Sequence, residues 1–166
     1  MSLGSFVEAL RGFVRSVLLG ADVGLEDMVL LISEAAHELG RDASVDDVVY
    51  MVAALELRHR VGAAKGWSTI DELRELVVEA IERLRSSGLV DIVGDRVAPT
   101  ERGAERVLEL AKAMYWAPKG NTVLHSVMTW MGGDRAALRL FVKELVGSGQ
   151  RRLRWLRKWL GREQGV

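Results

Sequence analysis

The sequence predicts a mostly helical α+β fold organised around one β-hairpin. Three observations predict it. Apolar residues recur at helical spacing through most of the 166 residues. One short stretch, Leu89 to Ala98, instead alternates about Gly94-Asp95. Capping residues, glycines and prolines fall where these patterns change.

The elements follow in chain order. Phe6, Leu10, Phe13, Val14, Val17 and Leu18 define a first helix over Ser5–Leu19, broken by Gly20 to Gly24. Leu25–Leu39 is a second helix, with Glu26 and Asp27 in the first turn, where the helix dipole favours carboxylates, and Gly40 at its end. Ser44 and Asp47 have capping-box spacing and open a third helix, whose stripe Val48, Met51, Val52 and Leu55 carries it to His59. After a small-residue loop, Val61–Trp67, Ser68 or Thr69 caps a helix from Ile70 to Ser86 with Leu73, Leu76, Val77, Ala80, Ile81 and Leu84 on its apolar stripe. Leu89–Val93 and Arg96–Ala98 form the hairpin, and Gly at the first position of its two-residue turn is the type II′ signal. Thr100 caps a helix over Glu101–Trp116. Pro118 and Gly120 interrupt; Asn121–Trp130 is helical up to Gly132-Gly133, and Asp134 caps Arg135–Val146. Gly147-Ser148-Gly149 is a joint before a last helix over Gln150–Leu160.

Composition narrows the class. There is no Cys, so disulfides, thiolate metal sites and a Cys nucleophile are excluded. No apolar run approaches the ~20 residues that cross a bilayer, and the N-terminus lacks a signal-peptide pattern, so a cytoplasmic protein is expected. Eighteen Arg against five Lys, many charges and only three labile amides (Asn121, Gln150, Gln164) suggest a thermophilic, archaeal-like source, although a GC-rich genome explains the Arg bias equally well. The net charge of zero hides a split: residues 1–99 carry 10 Lys/Arg and 17 Asp/Glu (−7), residues 100–166 carry 13 and 6 (+7). Such a split points to a basic surface, an acidic surface, or the two meeting in an oligomer.

The run Ala80-Ile81-Glu82-Arg83-Leu84-Arg85-Ser86-Ser87-Gly88-Leu89-Val90, the hairpin, and then Pro99-Thr100-Glu101-Arg102-Gly103 resemble the winged-helix regulators of the MarR and PadR type. Their third helix ends in a similar leucine, glycine, leucine, valine run, and their wing is followed by a Thr-Glu-(Arg/Lys)-Gly turn that opens a helix. The physical reasons are local: Gly88 suits a left-handed C′ position, and the Thr100 hydroxyl caps the next helix. The resemblance covers Ser44–Met114. It implies N-terminal helices over residues 1–43, a winged-helix module over 44–116 and C-terminal helices with a basic tail over 117–166. It also implies a homodimer built from the flanking helices.

Three features set the chain apart from that pattern. Between Thr69 and Ser86 there is no Gly or Pro to mark a helix-turn-helix turn, so two helices are expected to be contracted or fused there. The same stretch is acidic, with Asp71, Glu72, Glu75, Glu79 and Glu82 against Arg74, Arg83 and Arg85. The hairpin sets Asp91 and Asp95 beside one Arg96. DNA affinity comes largely from cations near phosphates, whereas winged helices also serve as protein-binding modules.

Residues 151–162 hold six cations and no anion. On a helical wheel Leu153, Leu156, Leu160, Trp155 and Trp159 share an arc of about 160°. Such a segment fits packing on the body or a second subunit, phosphate contact, or an anionic membrane surface; a membrane partner is the least expected. His37, His59 and His125 lack metal-ligand spacing, so no metal or cofactor is expected. Arg58, His59, Arg60 and Lys65 form a local basic cluster. Met114, Tyr115, Trp116, Met128, Trp130 and Met131 form an aromatic and Met-rich zone that suits core or dimer packing, or an effector pocket. No two carboxylates pair as acid and base, and an enzyme is not expected.

Two functions follow as expectations. The first is a dimeric regulator binding double-stranded DNA through Arg74, Arg83, Arg85 and Arg96, with Arg151, Arg152, Arg154, Arg157 and Lys158 on phosphates. The second is a winged-helix module that binds protein partners through its acidic face.

Overall fold

The structure is a computed structural model that describes residues 2–4, 24–116 and 120–146. The helices expected over Ser5–Leu19 and Gln150–Leu160, the Pro118 break and the glycine joint lie outside those residues. The described elements are α1 (Leu25–Glu38), β1 (Ala43–Ser44), α2 (Val45–His59), α3 (Ile70–Ser86), β2 (Val90–Val93), β3 (Arg96–Pro99), α4 (Glu101–Trp116), α5 (Gly120–Gly132) and α6 (135–146). The protein is thus mostly helical with one small antiparallel sheet, a winged-helix-like fold.

α1 is the central helix. Met28 to Ser33 are buried without interruption, the mark of a helix enclosed on all sides rather than lying on a surface. It packs against α2, α3, α4, α5 and β3. Its one buried hydroxyl, Ser33 Oγ, donates to Val29 O at 2.8 Å. Met28, Leu30 and Ile32 share one cluster with Leu55, Leu73, Val77 and Val97; α1 and β1 are therefore built into the same core as residues 44–116.

The three strands order as β1-β3-β2. Ala43 pairs with Val97, and Val90, Ile92 and Val93 pair with Pro99, Val97 and Arg96. β1 is only two residues long, and its Ser44 also caps α2: the hydroxyl accepts from Asp47 N, and Asp47 Oδ2 accepts from Ser44 N, both at 3.1 Å. Gly94 takes φ +67° while no non-Gly hairpin residue has positive φ, the signature of a II′ turn.

The chain leaves α2 through Arg60 in the left-handed region (φ 51°). The following loop is tied by one carboxylate. Glu56 accepts from the N–H groups of Gly62, Ala63 and Ala64 at 2.7–2.9 Å. Residues 60–69 thus form the connection of the helix-turn-helix pair, which is α2 and α3. The helix expected over Ile70–Ser86 is one continuous 17-residue helix capped by Thr69, with the turn of the pair lying ahead of it.

α3 buries Leu73, Val77, Ala80, Ile81 and Leu84. Gly88 follows it with φ +74°. Thr100 Oγ1 then donates to Gly88 O at 2.7 Å and accepts from Gly103 N at 3.1 Å, so one hydroxyl joins the end of α3 to the start of α4. A Cβ on Gly103 would lie 2.1 Å from Leu89 O: glycine is required where α4 crosses the chain entering the hairpin.

α5 and α6 add Val123, Val127, Met131, Leu138 and Val142 to the core. Asp134 Oδ1 accepts from Ala136 N at 2.9 Å and opens α6. No helix among the described residues is long and apolar enough to cross a membrane.

Candidate interaction face

The outer side of α3 and the adjoining hairpin carry the four described cations singled out in the sequence, Arg74, Arg83, Arg85 and Arg96. Thr69 starts α3: its hydroxyl accepts from Glu72 N at 3.2 Å. Glu72 Oε2 reaches back to Ser68 N and Oγ at 2.8 and 3.1 Å, and the Ser68 N–H bond holds the Glu72 carboxyl below its usual pKa. With Leu73, Val77, Ala80, Ile81 and Leu84 turned inward, helical geometry leaves Glu75, Val78, Glu79 and Glu82 outward at i, i+3, i+4 and i+7. The hairpin adds exposed Asp91, Val93 and Asp95. Val93, at 69% exposed, is the more open of the two apolar residues; Val78 is 42% exposed.

The four described cations expected to touch DNA are all engaged internally. Arg74 spans to α2, donating from Nε and Nη2 to Asp46 Oδ1 at 3.2 and 2.8 Å, and from Nη1 to Asp71 at 3.0 Å. These carboxylates raise its guanidinium pKa further, the Asp46 hydrogen bond first. Arg83 Nε donates to Glu26 Oε1 on α1. Arg85 pairs with Glu82 one turn earlier at 3.1 Å. Arg96 Nη1 donates to Asp42 O at 2.6 Å, bracing the wing against the α1–β1 connection. Among the described residues, Glu75, Glu79, Asp91 and Asp95 have no ion-pair partner. Arg151, Arg152, Arg154, Arg157 and Lys158 lie outside the described residues.

This face is therefore net negative, and its positive groups are already engaged, Arg74, Arg83 and Arg96 with neighbouring elements and Arg85 with Glu82 on α3 itself. A phosphate backbone meets repulsion there within a Debye length of about 8–10 Å. A cationic segment meets carboxylates at helical spacing, each exposed pair contributing a few tenths of a kcal/mol. Affinity then requires several pairs together and falls with salt.

A second polar feature lies behind the face and was not legible in the sequence. Arg135 on α6 is 4% exposed and Asp47 8% at their side chains, and Arg135 Nη1 meets Asp47 Oδ2 at 2.9 Å. The same guanidinium donates to Asp42 O, Arg41 O and Met131 O at 3.1, 2.6 and 3.2 Å. Arg139 Nη2 reaches Asp47 Oδ1 at 3.2 Å. Burial works to raise the Asp47 pKa, but the bonds from Ser44 and Arg135 prevail and lower it. Such a fully bonded buried charge is a structural clamp.

His59 is engaged within the helical packing. Its Nε2 lies 2.9 Å from Ser126 Oγ, and its ring lies 6.5 Å from Trp130, centroid to centroid, inclined by 26°. Trp130 meets Phe141 at 5.4 Å, and Arg58 covers that ring at 5.7 Å. Trp130 and Met131 thus pack between helices, as does Met114, which is buried; Met128 is exposed. No group of three His, Cys, Asp or Glu among the described residues could hold a metal ion.

Comparison of the chain with family models, with curated proteins and with solved structures returned no match.

Proposed function

We propose that this chain is a winged-helix interaction module that binds a basic protein segment through the outer face of α3 and the hairpin. The observation that carries the reading is the disposition of charge on that face. Arg74, Arg83, Arg85 and Arg96 are spent on internal acceptors, while Glu75, Glu79, Asp91 and Asp95 stand exposed. Residues 24–116 as a whole carry 11 Lys/Arg and 18 Asp/Glu, a balance of −7. A partner rich in Arg or Lys gains from that field both in encounter rate and in specificity. The module acts in the cytoplasm on this reading.

A regulator that binds double-stranded DNA is the second reading. The resemblance of Leu84–Gly103 to MarR- and PadR-type proteins and the +7 balance of residues 100–166 favour it. On that reading DNA contact falls to Arg151, Arg152, Arg154, Arg157 and Lys158, and a homodimer doubles those contacts.

One experiment separates the two. Full-length protein is titrated with a labelled Arg/Lys-rich peptide and, separately, with duplex DNA, each at two salt concentrations. The module reading expects peptide binding at a Kd of about 10 μM or tighter at low salt, weakened several-fold by Glu75→Gln with Glu79→Gln. Duplex binding that is lost on Arg154→Ala with Arg157→Ala, with no peptide binding at either salt, sinks it.

A further inference from the structure

We propose that the occupant of the acidic α3 face is this chain's own basic segment, residues 151–162, which docks there and competes with an external basic partner. This rests on the module reading above, and it names the ligand.

The case is one of complementarity. The segment carries Arg151, Arg152, Arg154, Arg157, Lys158 and Arg162 with no acidic residue. Residues 70–96 carry seven Asp/Glu and four Lys/Arg, and the four cations are those already bonded internally. The unmatched carboxylates of α3, Glu75 and Glu79, are one turn apart, and Arg154 and Lys158 have the same spacing in the sequence. The face also offers apolar area, Val78 on the helix and Val93 at the wing tip.

The link from α6 to the segment is short. α6 ends at Val146, which packs partly buried against the core. Four residues separate it from Arg151. Extended, they span up to about 13 Å, slightly more than the width of one helix with its side chains, so the segment can leave α6 for a neighbouring element. Because the protein's negative balance lies in residues 24–116 and its positive balance beyond them, docking also explains how strongly opposed charges coexist in a chain of net zero charge.

The test uses full-length protein and a zero-length carbodiimide cross-linker, which joins an amine to a carboxylate only in direct contact. Lys158 is the one lysine of the segment. Peptide mapping is expected to find Lys158 joined to Glu75, Glu79 or Glu82 at low salt, and to lose that product in about 1 M NaCl, where screening acts within ~3 Å. In parallel, Glu75→Gln with Glu79→Gln should speed tryptic cleavage after Arg151, Arg154 and Arg157 by about fivefold, the scale of a few exposed ion pairs lost together. Lys158→Arg should abolish the cross-link yet leave cleavage slow. Lys158 joined only to carboxylates away from α3 and the hairpin, or no product together with equal cleavage of wild type and variant, overturns the proposal. Its failure is distinct from failure of the module reading: an external basic peptide that binds through Glu75 and Glu79, while tail cleavage stays unchanged, leaves the face intact and removes only its occupant.

Discussion

At the scale of single residues, the chain relies on a few polar groups placed where hydration is lost. Asp47 serves two masters: it closes the cap of α2 and neutralises buried Arg135. Asp47→Ala is expected to destabilise the protein by about 3–5 kcal/mol, because it leaves Arg135 buried and unpaired; urea unfolding measures it, and a loss below about 1 kcal/mol would mean that the carbonyls of Arg41, Asp42 and Met131 suffice alone. As the folded-state pKa of Asp47 is lowered, its contribution is present above the unfolded value near 4 and disappears as pH falls through the folded one. The histidines act in opposite senses. Burial, and then Arg58, lowers the pKa of His59, so below about pH 6.5 the unfolded chain takes up a proton that the folded chain resists, and stability falls. The hydrogen bond to Asp42 raises the pKa of His37, so its contribution is complete below about pH 6.5 and is lost as pH rises through the folded value. A shallow stability maximum near pH 6.5 is expected, and His59→Gln should flatten its acidic side alone.

At the scale of elements, the joint between α3, the hairpin and α4 is the most tightly specified part of the fold. Gly103→Ala drives a methyl group toward Leu89 O and should cost about 1–3 kcal/mol, the range for overfilled sites. Thr100→Ala loses the cap of α4 and should cost about 1 kcal/mol. Thermal melts of the two variants check the order; a Gly103→Ala protein as stable as wild type would contradict the close crossing. This joint was legible in the sequence because its signals are local: Gly94 in the turn, Gly88 after α3, Thr100 before α4 and Ser44 three residues before Asp47 all act within one turn of chain. The glycine of the Thr100–Gly103 run was visible as a likeness, but its reason, the Leu89 carbonyl, was not. β1 escaped reading since two residues, Ala43 and Ser44, are too short to alternate. The place of α1 at the centre was also hidden: Met28 to Ile32 form a short apolar run, which identifies no partner.

At the scale of the molecule, the sequence disclosed the charge split but not where the cations point. Arg74 and Arg83 read as candidates for phosphate contact; their acceptors, Asp46 and Glu26, lie 28 and 57 positions away, beyond any spacing rule. Arg135 stands in the sequence only as the first residue after the Asp134 cap, and only the fold brings it to Asp47, 88 positions earlier. The acidity of α3, by contrast, was readable and survives in the folded surface. Because Val123, Val127, Met131 and Val142 join the same apolar cluster as α1, α5 and α6 should unfold together with the rest. Trp130 fluorescence, isolated by comparison with Trp130→Phe, and far-UV circular dichroism are expected to share one urea midpoint. A separate, lower midpoint for Trp130 would reveal α5 and α6 as an independent unit.

The Arg135 clamp also bears on the order in which the protein is made. Synthesis delivers Asp47 and the helix it caps long before residue 135 leaves the ribosome. Until then the acidic end of α2 has its cap but lacks its cation, and the carbonyls of Arg41 and Asp42 lack the guanidinium that bonds them in the finished fold. Chain growth at about 5–20 residues per second separates the two events by several seconds. Once its last helix is made, at Trp116, the nascent winged helix therefore remains less stable than the finished protein until translation passes Arg139.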